Sequence, residues 1–401
     1  MVQPYAWGSR SVIAELQGRP FPAPEPEAEL WIGAHPSAPS GVERADGRTT
    51  LEDVIAADPV HELGPECAAA FGGRLPFLLK VLAAEKALSI QVHPSRAQAE
   101  VGFAEENERG LPPGAAARNY IDNWPKPELL CALTPFEVLA GMRTPADAAA
   151  LFEELAAPEL TPYVTELAAA TGPETLTDVL GRLLSVPMAR RSAFIAPVVA
   201  ACERLAAGDG CYAKACAATV RIAADHPGDM GIVASLLMRH AVLQPGQAVF
   251  LPAGGLHAYL HGTGIELLAN SDNVVRAGLT GKHIDVPELL KLTNPGVAVP
   301  LTEPRELGNG VSVYDSPAPE FRLYRADAGI TETVLPAADG PRLVLCAEGT
   351  VTLVNAAGSA LKLARGESCF LAAADGAVSA TGPAVTFVAA TGLTQLSERT
   401  G

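Results

Sequence analysis

The sequence predicts a mainly β fold with an α insertion, built from jelly-roll barrels and a helical domain. Three observations predict it. Residues 1–143, and again those after Asp229, hold short apolar runs separated by turns rich in proline and glycine. Between them, from Thr144 to about Ala224, the texture changes to alanine- and leucine-rich with helical spacing. A nine-residue stretch near position 243 then returns near position 363. At 401 residues the chain exceeds a single hydrophobic core, so two or three domains are expected. The boundaries read as a discontinuous central domain at 1–143 and 229–300, a helical insertion at 144–228 and a C-terminal barrel at 301–401.

In chain order, Leu75–Leu82, Ala87–His93 and Cys131–Met142 read as strands or short buried segments. Thr144 and Pro145 form a helix cap followed by a first-turn proline, with Ala148, Leu151, Phe152 and Leu155 on one face. Further helices are expected at Thr175 and over Arg191–Ala207. Ala241–Leu251 and Ile265–Ala269 restore strand texture, a hinge is expected near Asn294–Pro304, and Leu343–Ala347 and Thr350–Val354 are strand-like. The repeat pairs Leu243-Gln-Pro-Gly246-Gln-Ala-Val-Phe250-Leu251 with Leu363-Ala-Arg-Gly366-Glu-Ser-Cys-Phe370-Leu371. A leucine, a glycine turn and a buried strand make one corner of a jelly roll. Seven residues past Phe250 stands His257, whereas seven past Phe370 stands Ala377. One barrel is equipped for metal and the other is not.

Apolar residues make up 48% and charged residues 18%, ample for folded cores. A net charge of −16 repels polyanions, so nucleic acid is excluded as an expected partner, and an anionic substrate would need a few well-placed cations. The seven scattered cysteines give neither a disulfide framework nor a zinc ribbon, and free thiols in a reducing compartment are expected. The first residues hold no apolar signal core, and Ala193–Cys202 is too short to span a bilayer. A soluble cytoplasmic protein is expected, a monomer or weak oligomer with no membrane partner and a small-molecule substrate. No P-loop or dinucleotide fingerprint supports nucleotide phosphoryl or hydride transfer.

Four scattered residues carry ligand chemistry. Ser89, Gln91 and His93 alternate at the end of an apolar run, and residues two apart on a strand share a face. Glu128 follows Lys126-Pro127, and His257 follows the turn Pro252-Ala-Gly-Gly-Leu. Taken singly, each is an ordinary strand edge, loop carboxylate or turn histidine. Together Gln91, His93, Glu128 and His257 supply two imidazoles, a carboxylate and an amide oxygen, a set that suits one Zn2+ and leaves room for substrate oxygens. One carboxylate leaves such a site net positive, which favours Lewis acidity. Glu266 interrupts an apolar strand, and a buried carboxylate there needs a partner or a metal. Arg276 precedes a small-residue turn and offers a fixed positive charge, with a structural ion pair as the plainer account. Lys80, Ser89 and Lys126 are the candidates for an anionic substrate group.

These segments, in this order, resemble type I phosphomannose isomerases of the cupin class. The resemblance rests on Tyr5-Ala-Trp-Gly-Ser9, Ala28 to Ser37, Leu75 to Leu82, Leu88 to Pro94, Asn119-Tyr with Lys126-Pro-Glu128, and Pro252 to Thr280. It covers roughly the first 143 residues and about 229 to 295. It implies a zinc enzyme with Gln91, His93, Glu128 and His257 as ligands and Arg276 as an essential catalytic residue. Lys80, Ser89 and Lys126 would face the substrate phosphate or sugar. It also implies interconversion of mannose 6-phosphate and fructose 6-phosphate through a cis-enediol. Glu266 is the first choice for the base, Asp272 the second, and Lys126 a third. The runner-up readings are an isomerase of another phosphosugar or of free mannose, and a metal-binding sugar sensor without catalysis. Where many bacterial members place a histidine before Lys-Pro-Glu, this chain has Pro125, so a ring-opening role for that histidine does not carry over. The Ala-Gly-Gly-Leu turn before His257 also differs from acidic or threonine-containing versions.

Overall fold

Alternation along the strands decides what each face of the central sheets meets. The computed structural model describes residues 1–44, 47–329 and 332–393; residues 394–401, part of the expected C-terminal domain, lie outside them. One central layer runs Val2–Gln3, Glu29–Ile32, Phe77–Ala84, His257–Ala269, Glu128–Ala132, Ala248–Leu251 and Leu301–Thr302, antiparallel throughout. The first half of the long His257–Ala269 strand also pairs with Ile90–Val92 and Phe136–Met142, which are flanked by Val275–Gly278 and Met238–Leu243. One strand thus threads both layers of the barrel and brings its two ends to different neighbours.

On Phe77–Ala84, Phe77, Leu79 and Val81 join a core that includes Leu323, Leu343 and Phe387 of the C-terminal region, while Leu78, Lys80 and Leu82 face a cleft. In the second layer Ile90, Val92, Val275 and Ala277 pack into the core of the helical block, while Gln91 and Arg276 face the same cleft. The cleft is therefore lined by the inward faces of two layers whose outward faces are covered by different parts of the chain.

The helical block opens as the cap predicts: the Thr144 side chain accepts from the Asp147 N–H, Pro145 occupies the first turn, and Ala148, Leu151, Phe152 and Leu155 are buried. The further helices are Thr161–Ala168, Glu174–Leu184, Met188–Ala206 and Ala213–Asp225. Among the described residues no single helix is long and apolar enough to cross a membrane.

In the C-terminal region Arg342–Asn355 plays the part of the long shared strand and joins the two runs expected at Leu343–Ala347 and Thr350–Val354. The repeated corner is real. Gly246 has φ +89° and donates to the Ala132 carbonyl; Gly366 has φ +83° and donates to the Cys346 carbonyl, each at 2.8 Å. Both positions need the left-handed backbone that glycine adopts freely.

Some elements differ from expectation. Cys131–Met142 is two strands, Glu128–Ala132 and Phe136–Met142, because the Leu133 and Thr134 N–H groups turn aside to the Thr263 carbonyl. Short helices at Leu51–Ala57, Pro59–Leu63 and Pro65–Ala70, and a longer one at Arg96–Glu108, interrupt the expected strand texture. The last begins with a Ser95–Gln98 capping box, which makes a helix of a weakly amphipathic segment. The expected hinge at Asn294–Pro304 is tied down, since Leu301 and Thr302 pair with Val249 and Ala248.

Candidate metal centre and active site

Period-two geometry and one glycine turn assemble the centre. His93 follows the Ile90–Val92 strand, Glu128 opens its own strand, and His257 opens the long one after a turn in which Gly254, at φ +79°, donates to the His93 carbonyl. All three side chains are at most 2% exposed. Glu128 Oε1 lies 3.2 Å from His93 Nε2, and Oε2 lies 3.3 Å from His257 Nε2.

The protonation pattern identifies the centre. His93 Nδ1 donates to the Asn273 carbonyl at 2.8 Å and His257 Nδ1 to the Gly255 carbonyl at 2.9 Å, so the Nδ1 atoms carry the protons. Burial pushes the His93 imidazole down to about 4, keeping it neutral although Glu128 pulls the other way. Each Nε2 then turns a lone pair toward a carboxylate. Burial opposes ionisation of Glu128, but its surroundings, the Lys126 ammonium among them, outweigh it and hold the carboxyl well below the usual range. Both Nε2 atoms and Glu128 Oε2 are buried with no hydrogen-bond partner. Three buried acceptors facing one another at hydrogen-bond distance repel unless a cation sits among them. Among the described residues this is the one His/Cys/Asp/Glu group with ligand atoms all within 4.8 Å. The donor set fits zinc, and the Nδ1–carbonyl bonds supply the orienting contacts that metal-bound histidines use. Gln91 is cross-strand from His257 and lines the cleft beside it.

The centre opens into a cleft of about 720 Å³, the size of a small-molecule site. Lys80, Ser89, Lys126, Glu266, Asp272 and Arg276 all line it. The register Trp31–Lys80–Glu266 runs across three neighbouring strands, so these side chains share one face. Lys80 Nζ lies 3.2 Å from Glu266 Oε2 and 3.5 Å from Glu29 Oε2, and 5.0 Å above the Trp31 ring. Burial works against its charge, yet Glu29, Glu266 and Glu128 prevail and hold the ammonium above its ordinary range. Glu266 is pushed up by burial, with Glu128 and Glu29 adding to the push against the pull of Lys80. Lys126 Nζ lies 3.3 Å from Glu128 Oε1, directly beside the metal centre. Asp272 accepts from His35 Nε2 at 3.4 Å; burial raises its carboxyl, but His35 and the lysines outweigh that and bring it below the ordinary value. Arg276 is half-buried with no carboxylate within ion-pair reach among the described residues, so the structural ion pair considered for it is absent.

Glu29, Trp31, His35, Tyr259 and Asn273 add contributions that the sequence alone does not assign. Trp31 Nε1 donates to Glu29 Oε2 at 2.6 Å, fixing that carboxylate beside Lys80. Asn273, fully buried, accepts from the Ile121 and Asp122 N–H groups and donates to the Trp124 carbonyl. It ties the 121–124 loop to the loop that orients His93. The readable signal is Glu29 itself, a carboxylate inside the apolar run Ala28-Glu-Leu-Trp-Ile.

The family description "Phosphomannose isomerase type I, catalytic domain" matches residues 1–145. Mannose-6-phosphate isomerase of Escherichia coli (strain K12) is 38% identical over 386 residues, 95% of either chain. The chain belongs to the type I phosphomannose isomerase family. The human mannose-6-phosphate isomerase is 32% identical over 378 residues, covering 87% of this chain and 86% of that one. A crystal structure of a zinc-bound mannose 6-phosphate isomerase matches with a TM-score of 0.87 at 35% identity, covering 98% of this chain and 97% of the other. A phosphomannose isomerase structure from Salmonella typhimurium gives 0.88 at 34% identity, with the same coverage. Such agreement across nearly the whole chain extends the family fold, with its barrels and helical block, to this protein.

Proposed function

We infer that the chain interconverts D-mannose 6-phosphate and D-fructose 6-phosphate as a zinc-dependent aldose–ketose isomerase. The observation that carries this is the trio of unpartnered acceptor atoms on His93, Glu128 and His257, of which Glu128 lines a cleft that also holds a buried carboxylate beside a lysine. With Gln91, these residues would hold the zinc, which supplies Lewis acidity toward the sugar oxygens.

The chain's own groups then account for the proton movement between C1 and C2 through a cis-enediol. We assign Glu266 as the base: burial raises its proton affinity, which suits it to take a proton from one carbon and return it to the neighbouring one. Lys80 holds that carboxylate in place through their ion pair. Lys126, against Glu128, puts a positive charge where negative charge grows on the enediolate oxygens. Asp272, oriented by His35, is the second candidate for that base. On composition, the same reading has the enzyme working in the cytoplasm as a monomer or weak oligomer. Its 301–401 barrel would be free of metal ligands, with the 1–143/229–300 and 144–228 regions as separate units.

A coupled assay for fructose 6-phosphate, run with mannose 6-phosphate, free mannose and other hexose phosphates, tests this reading. Turnover confined to mannose 6-phosphate is expected. Equal turnover of free mannose would move the assignment to an unphosphorylated sugar, and binding without turnover of any sugar would make the protein a sensor.

A further inference from the structure

The metal centre borders two segments that no sheet ladder holds. Residues 121–124 precede the Glu128–Ala132 strand, and residues 271–273 link His257–Ala269 to Val275–Gly278. Their polar groups must find partners outside a ladder, and they converge on one carboxylate. Asp122 Oδ1 accepts from the Ser271 hydroxyl and the Trp124 N–H, each at 2.8 Å, and from Asn273 Nδ2 at 3.2 Å. Asp122 Oδ2 accepts from the Asp272 N–H at 2.9 Å. The Asp122 backbone carbonyl takes a further bond from Asn273 Nδ2 at 2.8 Å. An ionised carboxylate is an acceptor only, so its two oxygens can meet all of these donors at once. Bonds to it are also about twice as strong as neutral ones.

Both segments lead to the metal. The Asn273 carbonyl accepts from His93 Nδ1 at 2.8 Å, the bond that turns Nε2 toward the centre. From Trp124 the chain runs Pro125-Lys126-Pro127-Glu128. Two prolines with locked φ leave little play between the anchored Trp124 N–H and the Glu128 carboxylate. Asp272, whose side chain lines the cleft, is fixed at its N–H by the same Asp122 carboxylate. Asp122 itself is not part of the cleft lining, so whatever it does there it does through these neighbours.

We propose that Asp122 is a positioning residue for the metal centre: it locks the 271–273 segment against the 121–124 segment and so sets His93, Glu128 and Asp272 relative to one another. This rests on His93, Glu128 and His257 as zinc ligands and asks nothing of the substrate. Metal retention then depends on a carboxylate that touches neither metal nor sugar.

The test is Asp122→Ala in the zinc-loaded full chain, with Asp122→Asn as a graded variant and Thr144→Ala as a control. Thr144 caps the first helix of the helical block, so its replacement weakens the fold away from the centre. Zinc release to a chromogenic chelator should be about 10-fold faster in Asp122→Ala, the scale expected for an outer contact of a metal site. Asp122→Asn keeps one acceptor oxygen but turns an amide toward at least one N–H, so its release rate should fall between wild type and alanine. With Co2+ in place of zinc, the visible d–d bands should change in Asp122→Ala, because a freed Asn273 carbonyl lets the His93 ring turn. Thr144→Ala should lower the melting temperature and leave both metal readouts as in wild type. That same pattern in Asp122→Ala, with wild-type zinc release and Co2+ spectrum, would make Asp122 a residue of the fold alone and overturn the proposal. Should Asp122→Ala not fold, wild-type release and spectrum in Asp122→Asn would overturn it equally. A failure of the metal reading itself would show separately, as wild-type protein that binds no zinc.

Discussion

At Leu243–Leu251 and at Leu363–Leu371 the two barrels turn the same corner. In each, a glycine in the left-handed region donates to the facing strand, and the next strand pairs there in the same manner, Ala248 with Cys131 and Ser368 with Leu345. The difference lies after the corner. The central barrel continues into the Gly254 turn and His257, where the C-terminal barrel has Ala377. Among the described residues the C-terminal region offers no group of metal-ligating side chains. Shared architecture therefore does not carry the chemistry; a few side chains grafted onto one copy do.

The largest effect should follow from removing the graft. Glu128→Ala leaves two imidazoles without their bridging carboxylate, and zinc binding should be lost. Loss of the several kcal/mol that a Lewis-acid metal supplies should lower kcat/KM by about 10³-fold or more. Metal analysis of the purified variant alongside the coupled assay checks both. Retention of one zinc per chain would take Glu128 out of the centre.

Glu266→Gln should keep its zinc and lower kcat by about 10²–10⁴-fold, the usual contribution of a positioned base, with KM little changed. If Asp272→Asn gave that loss and Glu266→Gln did not, the two roles would exchange.

Lys80→Met removes the cation between two buried carboxylates. Breaking a buried pair from one side costs about 3–5 kcal/mol, read as a fall in the denaturant midpoint. An unchanged midpoint would show that Glu29 and Glu266 share a proton rather than depend on Lys80.

The two corner glycines give the smallest and most direct comparison. At Gly246 an added Cβ has open space, its nearest neighbour being Arg325 Nη1 at 3.9 Å, so Gly246→Ala should cost only the left-handed backbone penalty, about 1–2 kcal/mol. At Gly366 the Cβ would stand 2.4 Å from the Leu16 carbonyl oxygen of the central region, so Gly366→Ala should cost more. Thermal denaturation should rank the two in that order, with the zinc content unchanged in both. The reverse order would mean that the C-terminal corner is not pressed against the helix Val12–Leu16.

Much of the site is legible in the sequence because its residues sit in local patterns. Ser89, Gln91 and His93 alternate along one run, and His257 follows a glycine turn. The partners of Lys80 are not legible in this way. Glu29, Trp31 and Glu266 reach it only through strand register, which couples positions about 50 and 190 residues away, and register depends on the whole sheet. Sequence alone therefore leaves Lys80 free for phosphate, when the fold encloses it with carboxylates. The architecture is legible at the same level: the cap at Thr144 and the repeated corner are local signals. The capping box at Ser95 is one too, but the apolar run before it draws attention to strand texture instead.

One functional zinc in the central barrel and none in the other is a stoichiometry, and stepwise zinc return to chelator-stripped enzyme measures it. The fructose 6-phosphate rate from mannose 6-phosphate should be near zero without metal, rise linearly with added zinc and level off at one equivalent per chain. His257→Ala should stay flat throughout, and Ala377→His should still level off at one. Full activity in chelator, or a plateau at two equivalents in the wild type, would contradict a single catalytic zinc in the central barrel.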